Sequence, residues 1–270
     1  MPNFLVLIIL SVFNSCTSGQ IAEEPPHLTR REVENVSKQL EAEVETRYPK
    51  IHHRLVNRYI NSLGQTIISR NKERMPPLPY EFRVLRSEEI HAFSLPSGII
   101  YITLGVLRHL DLEGQVAAVL THELAHQAAG HSLLVWRQRL AVRGAYREYF
   151  ASPLGTWEDR FVKKGGFLQY TKEMEKEADQ VSLVLLYKAN YDPRVVLSYL
   201  QDFAKTANRL PKETKAMRSL HPPIQDRISW TREQLTKLPP LKDPKLNSAN
   251  FTEVKRHLRE AEEKAKDRKK

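Results

Sequence analysis

A chain of 270 residues with 41% hydrophobic and 27% charged side chains is long enough for one ordinary domain with short extensions, and too apolar to be disordered throughout. Its formal net charge of +10 would suit an anionic partner. The sequence carries no nucleic-acid module and no Arg/Lys stripe interleaved with aromatics, so nucleic acid is not an expected partner, and the single cysteine, Cys16, excludes an internal disulfide.

The elements follow in chain order. Phe4 to Phe13, FLVLIILSVF, is an apolar run that spans about 15 Å as a helix, roughly half a bilayer core, and so fits the centre of a secretory signal better than a membrane span. No Lys or Arg precedes it. The small polar segment NSCTSGQ comes next, with Ser15 and Cys16 placed as in a bacterial lipoprotein signal. Residues 1–20 are therefore expected to be a signal peptide or lipoprotein signal, with export to a bacterial periplasm and a lipid anchor to a membrane surface at Cys16. Pro25 and Pro26 mark a linker. Thr29 can cap a helix to about Arg47, which Pro49 ends. Ile51, Leu55, Tyr59, Leu63 and Ile67 recur every four residues, the pattern of a second amphipathic helix.

Met75 to Pro79 breaks the chain, and strands are predicted at Tyr80 to Leu85 and Ile90 to Leu95. A turn at Pro96-Ser97-Gly98 leads to a third strand, Ile99 to Thr103, rich in β-branched residues. A short helix to His109 and a long one from Leu112 to Gly130 come next, then helix from Leu133 to Phe150. Ala151 to Gln169 reads as a loop able to act as a lid. Thr171 to Ala189 is helical, and Asp192-Pro193 and Pro222 or Pro223 open two more helices. The fold class expected is α+β, mostly α, with one small sheet. Residues 21–239 form the main domain, and 240–270 a charged helical tail whose outer face meets solvent.

His122-Glu123-Leu124-Ala125-His126 fits the HExxH pattern. Side chains four apart share a helix face, so two imidazoles can bind one metal ion from the same side, with Glu123 placed to take a proton from water on that metal. The helix before it is apolar, with Val116, Leu120 and Leu124 on one side. Placing two His and a Glu in such a helix costs free energy unless they are paired or metal-bound. A tetrahedral catalytic zinc needs a third protein ligand. Gly130 and His131 each stand one residue off the spacing that would supply a third histidine. The acidic run from Glu173 to Asp179 is the other source: Glu175 and Asp179 share a face, so one can bind metal while the other holds a ligand or the helix in place.

With these segments the chain resembles the gluzincin metallopeptidases of the CAAX-prenyl-protease, HtpX and BepA type, metallopeptidase family forty-eight. The resemblance runs from about Tyr48 to Arg227. It rests on Ala92 to Gly98 leading into Ile99 to Thr103, on Ala117 to His126, on Glu175 to Asp179 within the ExxxD pattern, and on His221-Pro222-Pro223 with Arg227. It implies a zincin-like fold with the sheet beside the HExxH helix, and one zinc ion per subunit held by His122, His126 and Glu175. Asp179 would support that site. Glu177, the rival ligand, falls on a different helical face. Glu123 and His221 would be catalytic, His221 either capping the zinc or helping to stabilise the transition state, and Arg227 would be structural or support the oxyanion. The strand Ile99, Ile100, Tyr101, Ile102 and Thr103 would be the edge that receives a protein or peptide substrate. The activity implied is hydrolysis of peptide bonds in misfolded or envelope proteins by a glutamate-activated water. The rival reading is a peptidase-like chaperone or binding module that cuts rarely or never. No membrane-spanning run and no repeat region after the peptidase part is seen, unlike the larger branches.

Overall fold

The structure, a computed structural model, describes residues 29–142, 170–207 and 223–267. The signal segment with Cys16, the expected lid Ala151 to Gln169, and His221 lie outside the described residues. The architecture is α+β and mostly α, as the sequence pattern predicts. Helix α1 (Arg30–Arg47) starts at Thr29, whose hydroxyl accepts the Glu32 N–H while the Glu32 carboxylate accepts the Thr29 N–H, so two otherwise unpaired donors are satisfied together. Helix α2 (Arg54–Ser69) buries Val56, Tyr59, Ile60, Leu63 and Ile67 along one face. It lies against the sheet at Gly64, where the ring of Phe82 occupies the place a side chain would need.

The sheet has three strands, β1 (Glu81–Leu85), β2 (Ala92–Ser94) and β3 (Ile99–Thr103), in the order β1-β3-β2. β3 pairs parallel with β1 and antiparallel with β2. This corrects the expectation that Ile99, Ile100, Tyr101, Ile102 and Thr103 form a substrate-receiving edge, because β3 is the central strand and both of its edges are already paired. All five of its residues are buried. Ile100 and Ile102 enter the core formed with α2 and the HExxH helix, whereas Ile99 and Tyr101 face a second cluster with Val36, Leu40 and Val44 of α1. An unbroken apolar strand is what burial on both faces requires.

Among the described residues β2 pairs on one side only, with β3, and it lies against the HExxH helix. Thr103 N–H donates to His91 O, and Leu95 N–H donates to Ile99 O. By the alternation of an antiparallel ladder, Ala92 and Ser94 then turn their N–H and C=O groups away from β3.

Short helix α3 (Leu104–His109) leads to α4 (Glu113–Ala128), which carries the motif, and α5 (His131–Val142) follows. Beyond them come α6 (Lys172–Lys188), α7 (Val195–Ala207), α8 (Ile224–Leu235) and α9 (Ala249–Asp267). The charged helix α9 is more than a solvated tail. Phe251, Val254 and Leu258 join the main core, and the Lys255 ammonium donates to the carbonyls of Leu107, Arg108 and Leu110 that close α3. α9 also caps α4 reciprocally. Asn247 Oδ1 accepts the Glu113 N–H at 2.8 Å, and the buried Glu113 carboxylate accepts from the Ser248 N–H and hydroxyl and from the Tyr191 hydroxyl.

Candidate metal centre

α4 is a run of Ala, Val and Leu that buries almost every residue, so it runs through the interior with its polar residues enclosed. His122 and His126, four apart, present their rings to one another edge-on, 4.8 Å between centroids, with the two Nε2 atoms 3.3 Å apart. Helix α6 packs along α4. Its first turn is fixed by Thr171, whose hydroxyl accepts the Met174 N–H, and this delivers Glu175 to the imidazoles. The Glu175 carboxylate is fully buried, with Oε2 3.5 Å from His122 Nε2 and Oε1 3.6 Å from His126 Nε2.

His122, His126 and Glu175 each offer one ligand atom, and these atoms lie within 4.8 Å of one another. Ligand atoms about 2.1 Å from a tetrahedral zinc stand about 3.4 Å apart. The donor set therefore fits a metal ion of that size, and a cation there would neutralise a carboxylate that is otherwise costly to bury. Glu123, next to His122 on the same helix, is also buried but is not part of this cluster. The rival Glu177 points elsewhere. Its side chain is 59% exposed and lies 3.4 Å from His131 Nε2.

Each imidazole is held from behind, and by different means. His122 Nδ1 is 3.1 Å from Asp179 Oδ1. Asp179 in turn accepts the Arg227 guanidinium through both carboxylate oxygens, at 2.7 and 2.9 Å, and the Trp230 indole N–H at 2.7 Å. Burial would raise the Asp179 carboxyl, but Arg227 and His122 outweigh it and hold the group well below the usual carboxylate range. Burial and Arg227 push His122 down, yet its hydrogen bonds to Asp179 and Glu175 outweigh both and raise the metal-free imidazole to about 9.

Behind His126 stands His131, the first residue of α5. Gly130, with φ +72°, turns the chain between the two helices and folds His131 back onto the last turn of α4. The two Nδ1 atoms are 3.1 Å apart, so His131 faces away from the ligand cluster and is no third histidine ligand. Burial pushes His131 down, with Glu177 opposing. The ring of Tyr170 stacks on His126, 3.7 Å between centroids and 13° from parallel, and its hydroxyl meets Ser132 Oγ at 2.9 Å. Gln127 donates both to Ser132 and to Leu95 O, which ties the end of α4 to the turn after β2.

The sequence motifs and the resemblance name His122, His126, Glu175, Asp179 and Arg227, and the structure brings these five together, with Glu123 buried next to His122 on α4. Tyr170 and Trp230 were missed. Each is a lone aromatic far along the chain from the motif, and nothing local distinguishes it from a core residue.

The sequence model of Peptidase family M48 matches residues 54–234. The chain is 27% identical over 205 residues to the beta-barrel assembly-enhancing protease of Yersinia pestis, covering 71% of this chain and 41% of that protein. It is 29% identical over 163 residues to the mitochondrial metalloendopeptidase OMA1 of Schizosaccharomyces pombe, covering 60% and 48%. It is 24% identical over 163 residues to the metalloprotease YcaL of Escherichia coli, covering 58% and 63%. The chain thus spans less than half the length of the first two of these relatives.

Proposed function

We propose, from the premise that the chain belongs to peptidase family M48, that it is a zinc-dependent endopeptidase acting on misfolded or envelope proteins. The observation that carries this reading is the convergence of His122, His126 and Glu175 from two helices, with Glu123 buried beside them. Two imidazoles and one carboxylate are a donor set that suits zinc. The ion, when bound, supplies Lewis-acid chemistry, acidifying water and polarising a carbonyl. Glu123 takes the proton of the attacking water and delivers it to the departing amine. His122 and His126 are held in orientation by Asp179 and His131, and the enclosing helices α4 and α6 keep bulk water from the back of the site.

A second catalytic role is proposed for His221 from the resemblance. The substrate is proposed to add to β2 rather than β3, since β3 is paired on both sides and the half-buried Ala92 of β2 turns its backbone groups away from β3. The substrate class is supported by the beta-barrel assembly-enhancing and mitochondrial endopeptidase relatives. Export with a lipid anchor at Cys16 is proposed from the N-terminal pattern. A Cys16→Ala variant still found in the membrane fraction would overturn it. Among the described residues no helix is long and apolar enough to cross a membrane.

The test is Glu123→Gln. This variant is expected to keep stoichiometric zinc and lose cleavage of a denatured protein such as reduced casein. Cleavage at the wild-type rate would remove Glu123 from the mechanism, and a zinc-loaded wild type that never cuts would favour the binding-module reading. Glu175→Ala is expected to lose most of the metal by elemental analysis.

A further inference from the structure

We infer that His131 is a positioning residue for the metal site, fixing the tautomer and ring plane of His126 by accepting its Nδ1 proton. This rests on the reading of His122, His126 and Glu175 as metal ligands.

The argument follows from where protons can be. His126 directs Nε2 toward the His122 Nε2 and the Glu175 carboxylate, at 3.3 and 3.6 Å. That nitrogen is therefore the ligand atom and must present a lone pair. A neutral imidazole has one N–H, so when Nε2 binds metal the proton sits on Nδ1. The partner of His126 Nδ1 is His131 Nδ1 at 3.1 Å. Two ring nitrogens at that distance need one donor and one acceptor, and with His126 donating, His131 must accept. His131 then carries its own proton on Nε2, which faces the Glu177 carboxylate at 3.4 Å, a natural acceptor. All three positions agree on one arrangement, from Glu177 at the rim through His131 to His126.

The geometry is built rather than incidental. His131 is 4% exposed, so water is a poor substitute for the acceptor it supplies. Gly130 places it there with a backbone conformation that L side chains rarely adopt. Tyr170 stacks almost parallel on the same His126 ring, restricting ring rotation while His131 fixes which nitrogen bears the proton. The two metal ligands thus receive unlike support: His122 backs onto a buried carboxylate and His126 onto a neutral ring. Groups that orient a metal-bound histidine typically change metal affinity by about 10–100-fold when removed.

The experiment measures Zn2+ affinity of the full chain by competition with a chelator. His131→Leu, which removes the acceptor at similar volume, is expected to weaken Zn2+ binding by about 10–100-fold. His131→Asn, whose Oδ1 can occupy the position of Nδ1, is expected to restore binding to within about threefold of wild type, a rescue that mere packing would not give. With Co2+ in place of Zn2+, the visible absorption bands should shift in the leucine variant and return in the asparagine variant. Wild type that holds Zn2+ together with a leucine variant that binds it equally tightly would overturn the role of His131 alone. Wild type that holds no Zn2+ would overturn the functional reading and this one with it. If the leucine variant does not fold, 15N-histidine NMR of the zinc-loaded wild type decides: His131 should show a protonated Nε2 and a bare Nδ1, and a proton on its Nδ1 would refute the inference.

Discussion

Asp179 and Arg227 give the sharpest test of how the metal site is built. The Asp179 carboxylate is almost wholly buried and accepts two hydrogen bonds from Arg227, one from Trp230 and one from His122. Replacing it in Asp179→Leu keeps the branched four-atom skeleton, at a larger volume, but leaves the Arg227 guanidinium buried with no carboxylate. Breaking a buried pair from one side costs about 3–5 kcal/mol, because the surviving charge loses its solvent and its partner together. Arg227→Met should cost less, since Trp230 and His122 still donate to the carboxylate. The double variant, with no charge left to strand, should recover much of the loss, giving a coupling of about 2–3 kcal/mol. Urea unfolding of the metal-free protein measures all four corners of the cycle. Metal affinity separates stability from orientation: even where the double variant is stable, His122 has lost the acceptor for its Nδ1 proton, and Zn2+ should bind about 10–100-fold more weakly. Strictly additive single costs, or an Asp179→Leu variant within about 1 kcal/mol of wild type, would refute the reasoning.

Other outcomes follow from the same contacts. Because His122 is raised to about 9 in the folded metal-free protein, that state holds a proton more tightly than the unfolded chain does. The resulting stabilisation is complete below about pH 6.5, the ordinary histidine value, and is lost as pH rises through about 9. Zinc must displace this proton, so its apparent Kd should tighten about tenfold per pH unit from neutrality to about 9, and a flat titration would contradict the pairing with Asp179 and Glu175. Glu113→Ala removes the carboxylate that accepts from Ser248 and Tyr191 and should cost about 2–3 kcal/mol in thermal or urea unfolding. Gly64→Ala would place Cβ 2.3 Å from the Phe82 ring, which is packed in the core, and should cost about 1–3 kcal/mol.

Much of the site was legible because its information is local. Two histidines four apart on an apolar helix share a face whatever surrounds them, and a helix capped at Thr171 sets Glu175 and Asp179 on another. What could not be read was order in space. Strand β3 is as β-rich as an edge strand would be, but its rank in the sheet depends on which strands pair with it. The one local hint was that Ile99 to Thr103 is apolar at every position but its last, where an edge facing solvent would alternate. The helix from Ala249 showed the converse problem. Its charges dominate the sequence and conceal Phe251, Val254 and Leu258, spaced three and four apart as an inward stripe requires. His131 could be judged off-register as a ligand from spacing, but its turn back toward His126 depends on the backbone at Gly130.

The family match spans residues 54–234, so α1 and α9 lie outside it, yet both bear on the metal site. α1 covers the sheet face opposite the HExxH helix, packing Val36, Leu40 and Val44 on Phe93, Leu95 and Tyr101, while Arg83 reaches from β1 to Glu41 and Glu45. α9 fixes the start of α4 through Asn247, Ser248 and Glu113. The far end of α4 is fixed by Gln127 on Leu95 O and Ser132. A helix that carries two metal ligands must be held at both ends, because a rotation of a few degrees separates His122 and His126 from a carboxylate that arrives on another helix. The flanking helices supply one of those restraints directly and support the sheet that supplies the other, which makes them part of the machinery that sets ligand geometry.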